Sequence, residues 1–149
     1  MLNFNHERLR YFPTVSGCNL ADFSSIAVTG ARQARVALSA AFEYVMKREA
    51  FGKALMDQPV VRHRLAVCGA QLESLWAWIE QFVYQMTKLP KSQADVELGG
   101  LTAMCKAQAG KVLDECARCS VLLFGGNGFT KTGQGEIAER IYREVPGMR

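Results

Sequence analysis

The stretch from residue 59 to residue 86, PVVRHRLAVCGAQLESLWAWIEQFVYQM, places apolar side chains in alternating steps of four and three. That spacing keeps them on one face of an α-helix, so the stretch predicts a single amphipathic helix. Pro59 suits the first turn of this helix, where its missing N–H costs nothing, and Pro90 ends it. At about 1.5 Å per residue the helix is expected to be about 40 Å long. Its apolar face runs through Val61, Leu65, Cys68, Leu72, Leu75, Ile79, Phe82 and Met86.

The sequence on both sides repeats this helical period. A second stripe follows the short turn at Pro90, and two helices of similar length joined by so short a turn must pack antiparallel. A third stripe ends near residue 46, and a short fourth helix is predicted for residues 136–144, ending at Pro146. No segment shows a convincing strand pattern, so the sequence predicts an all-α fold, an antiparallel helical bundle. The second stripe is Leu98, Leu101, Cys105, Ala109, Val112, Cys116, Cys119 and Leu123, and the third is Ala31, Ala34, Leu38, Phe42 and Val45.

Residues 10–25 differ from the rest of the chain. Turn-forming residues such as Pro13, Gly17, Asn19 and Asp22 crowd this segment, and its apolar residues follow neither a helical nor a strand period, which predicts a loop. Because a structureless loop of this length is uncommon in a compact domain, the segment is interpreted as an insertion or an unspliced stretch. The predicted organisation is an N-terminal segment, 1–25, carrying this loop, followed by a helical domain, 26–149.

Charge and composition narrow the class of protein. The 149 residues include 18 basic and 14 acidic side chains, and the net charge of +4 is scattered, which favours neither a nucleic-acid arm nor a polybasic membrane patch. No apolar run approaches the about 20 residues of a membrane helix, and the first residues lack the features of a secretory signal. We therefore expect an intracellular protein with no nucleic-acid partner and no membrane span, in a compartment that the sequence does not specify.

The cysteines and histidines do not indicate a metal site. Five cysteines without a signal peptide favour reduced, buried thiols over a disulfide scaffold. Cys116 and Cys119 form a single C-x-x-C inside a helical apolar stripe, where packing is their expected role. Neither His6 nor His63 has a carboxylate or a cysteine at a ligand spacing, so no metal is expected.

Two segments outside the stripes carry residues suited to binding. Arg48 precedes a glycine turn, and its planar, permanently charged fork suits a phosphate group. Gly125 and Gly126 follow the second long helix, and glycine permits backbone conformations and close approach that other residues resist. From spacing alone, a surface arginine and a routine helix-ending glycine are the favoured interpretation of these positions.

Together, REAFGKALMDQ at 48–58 and FGGNG at 124–128 resemble the R-x-x-F-G-x-x-x-x-x-Q and F-G-G-x-G signatures of the C-terminal helical domain of acyl-CoA dehydrogenases. The resemblance covers roughly residues 26–149. It implies a helical bundle, FAD as cofactor, an acyl-CoA substrate and a homo-oligomer. The full family enzyme oxidises an acyl-CoA to a 2-enoyl-CoA.

The resemblance also implies roles for individual residues. Arg48 would reach the FAD pyrophosphate of a neighbouring subunit, and Phe51 would lie by the adenosine portion. Gln58 would hydrogen-bond the cofactor, and the turn at Gly125 and Gly126 would hold the pyrophosphate through backbone N–H groups. One position departs from the family pattern: Leu122 stands where the family usually has a glutamine, so one cofactor hydrogen bond is expected to be missing.

The N-terminus carries a weaker match. Asn5 and Arg8 resemble the D-x-x-R segment with which the family contacts acyl-CoA, with asparagine in place of the aspartate. Glu7 stands where the isovaleryl-CoA type of the family has its catalytic glutamate, whereas most members take the base from a segment beyond the position of Arg149. A surface carboxylate or a partner for Arg8 is the competing interpretation of Glu7.

These features predict a truncated member, or a C-terminal fragment, of the acyl-CoA dehydrogenase family. Desaturation needs a carboxylate base in a dry pocket and donors for the thioester carbonyl oxygen, while the flavin supplies the redox chemistry. Because the family domains that form most of the flavin ring pocket are missing, the isolated chain is expected to be inactive. The alternative is a catalytically inactive helical interaction or oligomerisation module.

Overall fold

The computed structural model describes residues 20–148, and these form four α-helices in the order predicted by the apolar stripes. Helix α1 is Leu20–Lys47, α2 is Pro59–Lys88, α3 is Lys91–Phe124 and α4 is Glu136–Met148. Two strands of two residues, β1 (Glu49–Ala50) and β2 (Lys53–Ala54), lie between α1 and α2. Short 3-10 helices cover Leu55–Asp57 and Gly125–Phe129. The all-α prediction is confirmed.

Contacts between distant residues show how the helices run. The Ser24 hydroxyl donates to the sulfur of Met86, and Arg35 forms a salt bridge with Glu73. Helices α1 and α2 are therefore antiparallel. Ser120 donates a hydrogen bond to the carbonyl oxygen of Ala37 at 3.0 Å, and Gly30 lies against Ala109, so α1 and α3 are parallel. Helix α3 therefore runs antiparallel to α2, as its short connection requires.

The core is built mainly from the predicted stripes. Leu75 of α2 and Leu113 of α3 are almost completely buried. Helix α1 contributes a face of small side chains that lets α1 and α3 approach closely: Ala27, Ala31, Ala34, Ala37 and Ala41 are all buried. One predicted core residue, Phe42, is instead 46% exposed, because Ala41 occupies the buried position beside it.

Two predicted boundaries were wrong. The loop predicted for residues 10–25 ends earlier, because Leu20–Ser25 belong to α1. Within that turn-rich stretch the hydroxyl of Ser25 donates to the carbonyl oxygen of Asp22 at 2.8 Å, so a polar residue is accommodated inside the helix. Residues 10–19 lie outside the described part of the chain. At the other end, α4 continues through Pro146 to Met148 rather than ending before it.

None of the helices between residues 20 and 148 is long and apolar enough to cross a membrane. Over the same residues, no group of three or more histidine, cysteine or acidic side chains is arranged to hold a metal ion.

Candidate functional site

Arg48 lies at the junction between α1 and the β1–β2 hairpin. Its backbone N–H donates to the carbonyl oxygen of Tyr44 at 2.9 Å, and its own carbonyl accepts from the Leu55 N–H at 2.8 Å. These two bonds hold the main chain at the last turn of α1 and at the end of the hairpin. The Arg48 side chain is exposed. The backbone is therefore fixed while the guanidinium faces outward.

The hairpin turn holds Phe51 away from the core. Glu49 pairs with Ala54, and Ala50 with Lys53, which leaves Phe51 and Gly52 at the tip. Both have positive φ angles, 56° and 76°, and a positive φ is uncommon for a residue such as phenylalanine. The Phe51 side chain is 95% exposed. The turn therefore holds this aromatic ring in solvent.

Gln58 precedes α2 and forms its N-terminal boundary. Its backbone N–H donates to the carbonyl oxygen of Leu55 at 3.0 Å, and its carbonyl accepts from the Val61 and Arg62 N–H groups. The Gln58 side chain makes no capping hydrogen bond to the helix. Pro59 occupies the first position of α2, as predicted.

The predicted glycine turn follows α3 directly. Gly125 has φ 58° and ψ −133°, a conformation that side-chain-bearing residues resist, and its N–H donates to the carbonyl oxygen of Leu122. Gly126 is exposed and has no atom near the position of a Cβ. Gly128 is different, since a Cβ there would lie 2.6 Å from the backbone oxygen of Val121. A Cβ on Gly135 would collide with the carbonyl of Asn127.

The fold places Arg48 beside the end of α3. A pocket of about 430 Å³, hereafter the Arg48 pocket, lies between the last turn of α1 and the residues around the glycine turn. The rings of Tyr44 and Phe124 are 4.5 Å apart, and the Asn127 amide donates to the Tyr44 hydroxyl at 3.3 Å. The pocket is lined by Ala40, Glu43, Tyr44, Lys47, Arg48, Phe124 and Gln134.

Of the predicted binding residues that the structure describes, only one lines the Arg48 pocket. Arg48 lines the pocket, whereas Phe51, Gln58, Gly125 and Gly126 are not among its lining residues. Tyr44 and Gln134 were not identified from the sequence. Tyr44 lies one helical turn before Arg48, a spacing that could have indicated it. Asn5, Glu7 and Arg8 lie outside the described residues.

A larger groove, of about 770 Å³, lies between the start of α2 and the end of α3, and we call it the α2–α3 groove. Pro59, Val60 and Val67 line it from α2, and Leu122 lines it from α3. Leu122, the position that departs from the family pattern, is 55% exposed there. This surface is therefore more apolar than a glutamine at position 122 would make it.

The C-terminal domain of acyl-CoA dehydrogenases is helical, and the family model for that domain matches residues 24–149. The chain belongs to the acyl-CoA dehydrogenase family, as the sequence motifs predicted.

Individual relatives agree with this assignment. The chain is 62% identical over its whole length to the acyl-CoA dehydrogenase apdG of Emericella nidulans, covering 31% of that protein. It is 33% identical to the acyl-CoA dehydrogenase AFT10-1 of Alternaria alternata, over 82% of this chain and 29% of that protein. The chain thus spans less than a third of the length of these relatives.

Solved structures show the same fold. A probable acyl CoA dehydrogenase from Mycobacterium abscessus matches with a TM-score of 0.73 and 25% identity, over 85% of this chain and 32% of that one. A glutaryl-coenzyme A dehydrogenase in complex with glutaryl-CoA matches with a TM-score of 0.67 and 24% identity, over 85% of this chain and 30% of that one.

Proposed function

We propose that this chain supplies the helical, cofactor-phosphate-binding part of an FAD-dependent acyl-CoA dehydrogenase, an oxidoreductase that converts acyl-CoA to 2-enoyl-CoA. The observation that carries the proposal is the position of Arg48. Its side chain is exposed beside a pocket that also presents Lys47, at the point where α1 meets the end of α3. Glu43 lines the same pocket, but the two cations next to a glycine turn make this surface suited to a diphosphate.

The neighbouring residues support the same interpretation. Phe51 presents an aromatic face to solvent, which suits stacking on an adenine ring. Gly125 and Gly126 are exposed and carry no side chain that would keep a phosphate away from the glycine turn. FAD, when bound, supplies the hydride acceptor. The residues of this chain would orient its ADP half, and Gln58 would add a hydrogen bond.

Arg48→Ala is expected to weaken FAD binding about tenfold or more while leaving the helical content unchanged. An arginine–phosphate hydrogen bond contributes roughly 1.5–3 kcal/mol, and about 1.4 kcal/mol corresponds to a factor of ten. Isothermal titration calorimetry with FAD, ADP and riboflavin measures this effect. FAD and ADP should bind weakly, and riboflavin, which has no diphosphate, should not bind.

Arg140→Ala is the matched control, because Arg140 is an exposed arginine on α4 that does not line the Arg48 pocket. It removes the same charge and should keep the affinity for FAD. Equal losses in the two variants would indicate a general charge effect. Absence of FAD binding at millimolar concentration would contradict the proposal.

Catalysis by this chain alone is a separate question. Glu7 is the candidate base for removing the proton next to the thioester carbonyl, and Asn5 and Arg8 are the candidate acyl-CoA contacts. We propose that the isolated chain does not oxidise acyl-CoA, with or without FAD, because it spans less than a third of the length of its acyl-CoA dehydrogenase relatives. Acyl-CoA oxidation can be measured by the reduction of an electron-accepting dye. With Glu7→Gln, as with the wild-type chain, the rate of this reduction should stay at background. A rate above background that this substitution removes would overturn this part of the proposal.

A specific observation also favours an interaction role. Large apolar side chains that a folded chain normally covers are exposed here, including Phe51, Val60, Leu122 and Phe129. Exposed apolar patches commonly mark surfaces of association. An inactive helical oligomerisation module is therefore the second candidate function, and a homo-oligomer is compatible with both candidates.

We expect the chain to self-associate at micromolar concentration, as measured by sedimentation velocity. Replacing the two most exposed aromatics of the described part of the chain, Phe51→Ser and Phe129→Ser, should shift the distribution toward the monomer because it removes apolar surface. A wild-type chain that remains monomeric across this range would contradict the expectation.

A further inference from the structure

Three of the five cysteines meet where α2 packs on α3. The Cys68 thiol donates to the carbonyl oxygen of Glu115 at 3.9 Å, and the Cys116 thiol donates to the carbonyl oxygen of Cys68 at 3.9 Å. Cys119 lies one helical turn beyond Glu115 and lines the same groove as Cys68. The C-x-x-C spacing in α3 predicted packing only, and the fold adds a third thiol from across the interface.

Two of these three thiols face the α2–α3 groove. Cys68 and Cys119 line it and are each 6% exposed, whereas Cys116 is completely buried. The same groove carries His63 and Arg64 from α2 and Glu115 and Arg118 from α3. A small polar molecule entering the groove would therefore meet the Cys68 and Cys119 sulfurs first.

The hydrogen bonds within the cluster shift the pKa values of its three thiols in different directions. Those from Cys116 and Cys119, helped by the charge of Arg64, lower the pKa of Cys68 despite its burial. The same interactions with Cys68, together with burial, raise the pKa of Cys116 and of Cys119. The direction of these shifts favours Cys68 as the sulfur that loses its proton, and the thiolate is the reactive form of cysteine.

We propose that Cys68 and Cys119 form a peroxide-reactive dithiol site that closes into a disulfide between α2 and α3. The Cys68 thiolate attacks one oxygen of hydrogen peroxide, the O–O bond breaks, and sulfenic acid and hydroxide are formed. The sulfur of Cys119 then attacks the sulfenic sulfur. Its proton leaves with the sulfenic hydroxyl as water, and the S–S bond forms. Two thiol sulfurs are oxidised and one peroxide is reduced.

Cys119 is the better second cysteine for two reasons. It shares the groove with Cys68, whereas Cys116 lies behind both and directs its thiol to a backbone carbonyl. In addition, the Cys68 thiolate is the main cause of the raised pKa of Cys119. Conversion of that thiolate to neutral sulfenic acid removes this cause, so Cys119 becomes more acidic at the step in which it must react.

Cys105 provides an internal comparison on the same helix. It is also buried, at 2% exposure, but burial alone raises its pKa to about 11, and it does not line the α2–α3 groove. A cysteine that serves only in packing should, like Cys105, have a pKa that burial raises. The contrast between Cys68 and Cys105 therefore separates a reactive site from ordinary core cysteines.

The test treats the full reduced chain with hydrogen peroxide, blocks free thiols with iodoacetamide and maps the products by tryptic digestion and mass spectrometry. Trypsin separates the relevant cysteines because Cys68 falls in residues 65–88, Cys116 in 112–118 and Cys119 in 119–131. The expected product links residues 65–88 to 119–131. The thiol at Cys68 should be lost at least about tenfold faster than that at Cys105, as thiolate chemistry requires.

Three variants check the assignment, with circular dichroism confirming that each is folded. Cys119→Ser should abolish this link and leave Cys68 as a trappable sulfenic acid, and Cys68→Ser should abolish both products. Cys105→Ser should change neither. The proposal is overturned if residues 65–88 link mainly to 112–118, if Cys68 stays reduced, or if Cys105 reacts as fast as Cys68.

Discussion

Replacing Gly128 with alanine is expected to lower the free energy of unfolding by about 3 kcal/mol, at the upper end of the usual range for overpacking. An added Cβ would lie 2.6 Å from the carbonyl oxygen and 3.0 Å from the Cα of Val121. These are backbone atoms near the end of α3, so they cannot rotate aside as a side chain would. Urea denaturation followed by circular dichroism measures the loss.

Gly126→Ala is the matched control, since Gly126 lies in the same short 3-10 helix and no atom lies within 4 Å of its added Cβ. Its φ is not positive, so alanine adopts its conformation without strain. The expected change is within about 0.5 kcal/mol. Similar losses at the two positions would show that the close approach of Gly128 to Val121 is not what requires glycine.

Leu113→Ala is expected to destabilise the chain by about 2–5 kcal/mol. Leu113 lies on α3 with 0% exposure, and α3 packs on both α1 and α2. Truncation removes buried apolar surface and leaves a cavity that rigid helices close only partly. The same denaturation experiment gives the value.

Val96→Ala is the corresponding control on the same helix, because Val96 is 65% exposed. It should alter stability by less than about 0.5 kcal/mol, as most surface substitutions do. If Leu113→Ala lowered the free energy of unfolding as little as Val96→Ala, the result would contradict the packing of α3 at the centre of the bundle.

The long helices could be predicted because their signal is local. The stripe from Cys68 to Phe82 is buried as expected, and Pro59 begins α2 where the sequence indicated. A period of 3.6 residues reflects backbone geometry, which a short window of sequence reports without knowledge of the fold. The motif at 48–58 was identified by resemblance, and the assignment of the chain to its family agrees with it.

The ends of the helices were harder to predict. Ser24 and Ser25 were predicted to lie in a loop. They lie in α1 instead, where Ser24 also contacts Met86 of α2. Pro146 was predicted to end the fourth helix. Helix α4 instead continues two residues past it, because a proline so close to the helix end interrupts only the final turn. In both places weak local preferences are overridden by the rest of the helix.

The sequence by itself determined the helical period and, through the motifs at 48–58 and 124–128, the family. Only the tertiary structure decided which side chains meet. Arg48 lies beside Phe124 and Gln134, and Cys68 lies against Cys119, because α1, α2 and α3 pack in one relative register. That register depends on how small side chains such as Ala34 and Ala109 fit between helices. Periodicity within a helix carries no information about that fit, since it arises from complementary shapes on separate segments.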